Sequence, residues 1–594
     1  MRRVVVMLRG AWVARPGRPA RGPADAVFRG WIGAGVGASR WFALVLGFAL
    51  AGIAGGAEPD VFSRDRLHEV RVTLPAADWD ALRGEHPDFV AQLGPSRTNG
   101  RPARAYQNHR GTVEIDGTAV ADVAVRKKGF IGSVSRTRPS LNFEAGVYAE
   151  GRTIAGLAKL TANNNQQDPS AIRQCLAYDL FRAAGIAAPR ASLARVVVNG
   201  ADLGIYTLVE PVDRRFVARE FGPDGGGLWE GTLTDFRPEW LRMFEAKSGT
   251  RKPAGSVLGE VAAVLARTNG PPDLEELGRL VDLDRFVSFW AAEVLVDHWD
   301  GYANNLNNYF VHRRGSDGRL VFVPWGADSC LGARGAFVPP GAPASVRATG
   351  FLPRRLYADA AWRERYRARL RALLDMAWKE DAIAGEISRL DALVGTNVWA
   401  GSAGRKAAVR RTRDFVRGRR KVLLRELDAP AMEWTAPPRA LAVLTEWGRL
   451  TASFSTTYRR SFPVNWFTNG TVDLRIELDG AVRPFVQAGV ASGPGFDARQ
   501  TNDVWVTLVA MRGIGGVQVP AVSVPRSRFV AGGDARVGFF DGSAFLFEGI
   551  PTGPADGGFG FLDGTLHLDE AGVAEGAAVK GRLEATVWKW NFKP

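Results

Sequence analysis

The stretch "DHWDGYANNLNNYFVHR", residues 297–313, places two aspartates and four asparagines at the end of an apolar run, and an isolated aspartate, Asp328, follows in "VFVPWGADSC". Carboxylates and amide carbonyls are ligands of hard cations such as Mg²⁺, which keeps several waters and shares its shell with substrate phosphates. Asp300 and Asn305 stand in the order D-x-x-x-x-N, and Asp328 follows a strand pattern. Phosphoryl transfer needs this set: an acid to orient the attacking hydroxyl, an amide and an acid for the metal, and cations for phosphate charge. The spacing alone is weak, because D-x-x-x-x-N arises by chance and Asp before Gly also builds turns. Asn304, Asn307 and Asp297 read as loop-forming hydrogen bonders, and His298 and His312 as structural.

Two kinds of element must position these residues. "HEVRVTLPAADWDALR" predicts a strand and a short helix, and "GTVEIDGTAVADVAVRKKGF" a hairpin turning at Asp-Gly. "ASLARVVVNGADLGIYTLVEPV" is the strongest hairpin, with Asn199-Gly200 at its tip. Between them "DPSAIRQCLAYDLFRAAGI" predicts a helix capped by Asp168, opened by Pro169 and stopped at Gly185. After residue 270, apolar residues recur at helical spacing on either side of the strand pair "NNYFVHRRGSDGRLVFVPW". The expected class is α+β: a sheet-rich lobe followed by a helical lobe, residues 58–428, with the polar loops between them. "DAPAMEWTAPPR" marks a linker, 429–439, and the alternating strands beyond it predict an all-β domain at 440–594, sandwich-like or a barrel, that folds alone.

A chain of 594 residues with 46% hydrophobic content can bury several cores. The net charge of +15 does not imply nucleic acid. Eight arginines against Asp25 put +7 in residues 1–40, and the other +8 is spread thinly, with no phosphate-tracking stripe. The apolar run at 41–54, ending in Gly55, Gly56 and Ala57, reads as a signal peptide with cleavage near Glu58. It is shorter than the ~20 residues of a membrane span. The expected protein is therefore exported (secreted, periplasmic or at the cell surface) and keeps no stable membrane span. Cys175 and Cys330 are expected as buried free thiols.

Residues 70–424 also resemble the CotH kinase family, the spore-coat protein H type of atypical protein kinase. "VAVRKKGF" is similar to its early strand, "LAKLTANNNQQDPSAIRQCLAYDLFRAAGIAAPR" to its Asp-Ser-x-x-Arg helix, and "VNGADLGIYTLVEPV" to its Asn-Gly hairpin. "DHWDGYANNLNNYFVH" and "FVPWGADSCLG" are similar to its D-G-Y/N-N-Y and P-W-D-x-D segments. The resemblance implies a bilobal kinase-like fold that moves the γ-phosphate of ATP to a protein serine with Mg²⁺ or Mn²⁺. It places Asp300 as the catalytic acid, Asp328 as the metal-binding acid, and Asn305 or Asn308 as the amide ligand. It also implies nucleotide-side roles for Arg173 and Glu210, and for Arg138 or a nearby lysine, Lys127, Lys128 or Lys159, of which Lys159 is expected. The family's first acid in P-W-D-x-D is Gly326 here, and a basic position before its serine-containing strand is Arg138. These departures leave open a second function, a weakly active or inactive kinase-like scaffold or adhesion protein whose β-domain binds a surface polymer or protein.

Overall fold

The computed structural model describes residues 60–593 except 101–104, 224–225, 249–255, 334, 336–337, 340, 396–400, 461–464, 495–502, 513–515 and 549–557. The leader and its expected cleavage point lie outside the described residues. Among those described, no helix is long and apolar enough to cross a membrane.

Seven strands near the N-terminus close into a barrel: β1 (His68–Thr73), β2 (His109–Ile115), β3 (Thr118–Lys128), β4 (Ser140–Glu144), β5 (Lys159–Asn163), β6 (Ala191–Val198) and β7 (Ala201–Val209). Alternate residues such as Val70, Val72, Val113, Val125, Phe143, Leu160, Val196 and Leu208 fill its interior, as a period of two requires. Both expected hairpin turns form. Asp116-Gly117 and Asn199-Gly200 have positive φ at both positions, the geometry that suits right-twisted strands. The barrel closes through a parallel pairing of β1 with β6, whose partners lie more than a hundred residues apart in sequence.

The helix after β5 opens later than Pro169. It spans Arg173–Ala183, and the Asp168 carboxylate reaches forward, accepting from the N–H of Ser170 at 3.0 Å and of Arg173 at 2.8 Å. Gly185, at φ 78°, stops it as expected. A second sheet, β8 (Leu228–Gly231), β9 (Glu245–Ser248), β10 (Tyr309–Arg313) and β11 (Leu320–Pro324), runs in the order β11-β10-β8-β9. It packs on the buried helix Leu283–Leu295, around which the helices Ala360–Met376, Glu380–Val394 and Gly401–Leu427 assemble. The class is α+β. Both cysteines are free and buried.

The C-terminal region is one continuous ten-stranded sheet, where a sandwich would have two. The strands Leu441–Thr457 and Gly558–Ala571, which flank Ala578–Lys593, carry register shifts against it at Glu446/Gly448 and Leu568/Glu570. Such bulges bend strands. The sheet wraps around its own core of Leu450, Phe454, Ile476, Leu508 and Leu566, and a bridge joins Tyr458 to Ser492.

The boundary near 440 is packed. Leu441 and Val443 belong to the helical core, and Trp434 lies against it. Residues 429–436 are strapped down where Arg367 donates to Ala429 O, Tyr357 to Met432 O and Arg354 to Ala436 O. Phe89, capped onto its short helix by Asp88, stacks on Phe539 at 4.0 Å and meets Phe540, Phe561 and Trp590 edge-on. Phe89→Ala should therefore cost about 3 kcal/mol and lower the melting temperature of the whole chain. An unchanged melting temperature would mean that the β-domain is not held by this contact.

Candidate active site

The segment after the Leu283–Leu295 helix is shaped by a residue that sequence reasoning did not single out. Glu293, buried inside that helix, accepts from the N–H of Tyr302 at 2.9 Å and of Ala303 at 2.8 Å, and so caps the one-turn helix Tyr302–Asn305. A carboxylate at a helix N-terminus satisfies orphan donors and the local dipole together. The cap holds the turn that begins at Asp300. The only signal in the sequence was an acid amid "FWAAEVLV".

Asp300 gathers the amides. Asn305 Nδ2 and Asn307 Nδ2 donate to its Oδ1, the latter at 3.1 Å, and Asn308 Nδ2 donates to its Oδ2 at 2.9 Å and its carbonyl at 3.1 Å. An ionised carboxylate has about four acceptor positions. Three are used, and the one left is on Oδ2. Burial raises the Asp300 pKa above the usual carboxylate range, against the lowering effect of the Asn305 and Asn307 bonds and of His298 and Arg439.

Asp328 lies in the loop after β11, among acids. Burial pushes it up to about 7, with Asp168 and Asp300 adding to the shift. Asp168 is itself fully buried and held by Arg173, whose Nη1 stands 3.7 Å away and whose Nε donates to Thr412. Gly326 adopts φ +51°, and a Cβ there would sit 2.5 Å from Asn308 Oδ1. The missing acid is thus matched by an amide in the space that a side chain would need.

The lysine that reaches this loop is Lys128. Its Nζ donates to Asn163 Oδ1 at 2.9 Å, lies 5.3 Å from the centre of the Trp325 ring, and is attracted by Glu230 and Asp328. Burial lowers it to about 8. A relay continues from Asn163 to Gln174 at 2.8 Å and from Gln174 to Tyr178 at 3.2 Å, and the Tyr178 hydroxyl rests on the backbone of Gly326 and Ala327. The relay ties β3, β5 and the Arg173–Ala183 helix to the Asp328 loop.

Other expected residues lie elsewhere. Lys159 is half-exposed and pairs at 2.8 Å with Glu144, its direct cross-strand partner on β4. Arg138 donates to the carbonyls of Leu203 and Ile205 and stacks over Tyr206, which makes it a barrel brace. The Glu210 carboxylate is taken by Arg190 and Arg219. Arg173 reaches the acids only through Asp168. Lys127, the other neighbour, is buried and donates to the carbonyls of Arg83 and Glu85. Lys159→Ala should accordingly leave nucleotide affinity within about twofold of the parent, as expected for an exposed ion pair. A larger loss in a binding titration would restore Lys159 to the site.

Arg439 was also missed. It comes from the segment leading into the β-domain and interacts electrostatically with Asp300, while burial lowers its pKa to about 10. Among the described residues, no three His, Cys, Asp or Glu side chains form a ready-made metal cage. The donors nevertheless suit a cation that keeps waters and phosphates. Asp328 supplies one carboxylate, and Asn305 Oδ1 is a buried oxygen with no hydrogen-bond partner.

Comparison with known proteins gives the family. Residues 125–423 match the family model of the CotH kinase protein. The chain is 26% identical over 241 residues to the inner spore coat protein H of Bacillus subtilis (strain 168), a match covering 38% of this chain and 65% of that protein. Since the family model spans half of the chain and contains Lys128, Asp300 and Asp328, this protein belongs to the CotH kinase family.

Proposed function

We propose that this is an exported protein kinase of bilobal, kinase-like layout that transfers the γ-phosphate of ATP to a protein serine. The observation that carries the reading is that Asp328, in the loop after β11, interacts electrostatically with both Lys128 from the barrel and Asp300 from the turn after the Leu283–Leu295 helix. In this reading the nucleotide phosphates lie between Lys128 and Asp328, where an ammonium point charge neutralises phosphate oxygens. Asp328 with Asn305 or Asn308 would hold Mg²⁺ or Mn²⁺, and the unpartnered Oδ1 favours Asn305. The ion would neutralise phosphate charge when bound.

Asp300 acts on the acceptor. Its free Oδ2 position orients the serine hydroxyl and receives its proton, and the elevated pKa brings that proton acceptor nearer to neutral pH. Glu293 keeps Asp300 at the start of a capped turn, and Arg439 offsets its charge from the β-domain side. Incubation of the intact protein with γ-labelled ATP, Mn²⁺ and a serine-containing acceptor tests the proposal. Label should appear on serine and vanish in Asp300→Asn. Gly326, in place of a family acid, favours the scaffold reading, and absence of label with every acceptor and either metal would establish that reading instead.

A further inference from the structure

Beside the capped turn lies a cluster of cations that the kinase reading does not use. Arg237, in the loop after β8, and Arg355, in the helix Phe351–Ala358, are each 8% exposed. Arg237 lies over Trp240 at 4.6 Å and over Phe351 at 5.7 Å, while Arg355 lies over the same Phe351 ring at 4.6 Å. Arg354 completes the group and donates to Ala436 O in the segment that leads to the β-domain. Among the described residues no carboxylate comes within ion-pair distance of any of the three, and the Nε atoms of all three are buried without a partner.

Burying guanidinium groups together without an anion is costly, and aromatic faces offset only part of that cost. Mutual repulsion is visible: burial lowers the pKa of Arg354 and Arg355, and each is lowered further by Arg237. The nearest acid, Asp235, attracts Arg237 and Arg354 without forming an ion pair with either, and three of its four acceptor positions are filled. Its Oδ1 accepts from the Tyr302 hydroxyl at 2.9 Å and from the Phe236 N–H, and its Oδ2 from the Phe351 N–H at 2.8 Å. Three arginines against one aspartate leave a local charge of +2. A phosphate monoester, with a charge of about −1.5 to −2, neutralises it where one carboxylate would not. Guanidinium forks also match the geometry of phosphate oxygens.

We infer that Arg237, Arg354 and Arg355 form a binding site for a phosphate group, separate from the Lys128–Asp328 site. Through Asp235 and Tyr302 it borders the turn that carries Asp300. The phosphate could be free or carried by a phosphorylated side chain of the acceptor protein, and the two are told apart by probe.

The test uses intact Lys128→Met protein, so that phosphate held at the Lys128–Asp328 site does not obscure the result. Calorimetric titration with inorganic phosphate, and with a phosphoserine peptide beside its unphosphorylated form, should show saturable binding. Adding Arg237→Gln or Arg355→Gln should weaken it by at least about tenfold. Tighter binding of the phosphopeptide assigns the site to a protein-borne phosphate, and tighter or equal binding of inorganic phosphate assigns it to the free ion. Arg237→Lys and Arg355→Lys, checked for folding by circular dichroism, keep the charge without the fork and should lose most of the affinity. Absence of saturable binding in Lys128→Met protein, or binding unchanged in folded arginine variants, overturns the inference. Neither outcome depends on phosphoryl transfer, so this site and the kinase reading can fail separately.

Discussion

Asp328→Asn should abolish metal-dependent ATP binding and phosphoryl transfer while making the protein more stable at pH 8. Asp328 titrates near 7 when folded, against an ordinary value of 3.8, because it is buried beside Asp168 and Asp300. Between about pH 4 and 7 the folded state therefore holds a proton that the unfolded state has released, so stability falls as pH rises through that window and then levels off. Asparagine removes this titration. The variant should match its parent near pH 4 and exceed it by about 2 kcal/mol above pH 7, a figure discounted for coupling among the three acids. Asp300→Asn should behave differently. It should keep ATP binding and lose transfer by about 10²–10⁴-fold, because the acceptor proton moves only in the reaction. Denaturant melts across pH and single-turnover assays read both effects. Equal transfer by Asp328→Asn and its parent would remove Asp328 from the mechanism.

Lys128→Met should cost most of the affinity for nucleotide and change the shape of its pH dependence. Burial sets Lys128 near 8, so its charge is lost as pH rises past that point, whereas Asp328 gains its charge as pH rises past about 7. Binding that needs both charges is bell-shaped, with its maximum between these two values. In Lys128→Met the residual binding should keep the rise near 7 and lose the fall near 8. A parent profile that is flat from about pH 6 to 9 would show that neither group governs binding.

The difference between Lys128 and Lys159 shows where the sequence stops being informative. Both lie in strands of the barrel near basic and polar neighbours, and alternation gives each strand two faces without saying which one meets the Asp328 loop. That choice depends on barrel closure. The parallel pairing of β1 with β6 and the Glu144–Lys159 register settle it, and neither has a local signal. The pairing of Asp300 with Asn305 was legible because its spacing lies within one short segment. The Asn199-Gly200 and Asp116-Gly117 turns were legible because few residues tolerate their backbone. Glu293, Asp235 and Arg439 act across distances of nine residues to more than a hundred, so only the packed structure reveals their partners. The packed connection at 429–443 was hidden for a similar reason. Its prolines suggest a linker, yet its carbonyls are bound by Tyr357, Arg354 and Arg367 from the helices Phe351–Ala358 and Ala360–Met376.

The central claim, that Lys128 and Asp328 form a metal-dependent nucleotide site, is tested most directly by calorimetric titration of ATP into the intact protein with Mg²⁺ at about pH 7.5, between the two titrations that gate binding. The account predicts one binding site per chain that disappears with a chelator and in Asp328→Asn, and persists in Asp300→Asn. Binding that survives both the chelator and Asp328→Asn, or no binding by the parent with either Mg²⁺ or Mn²⁺, would contradict it.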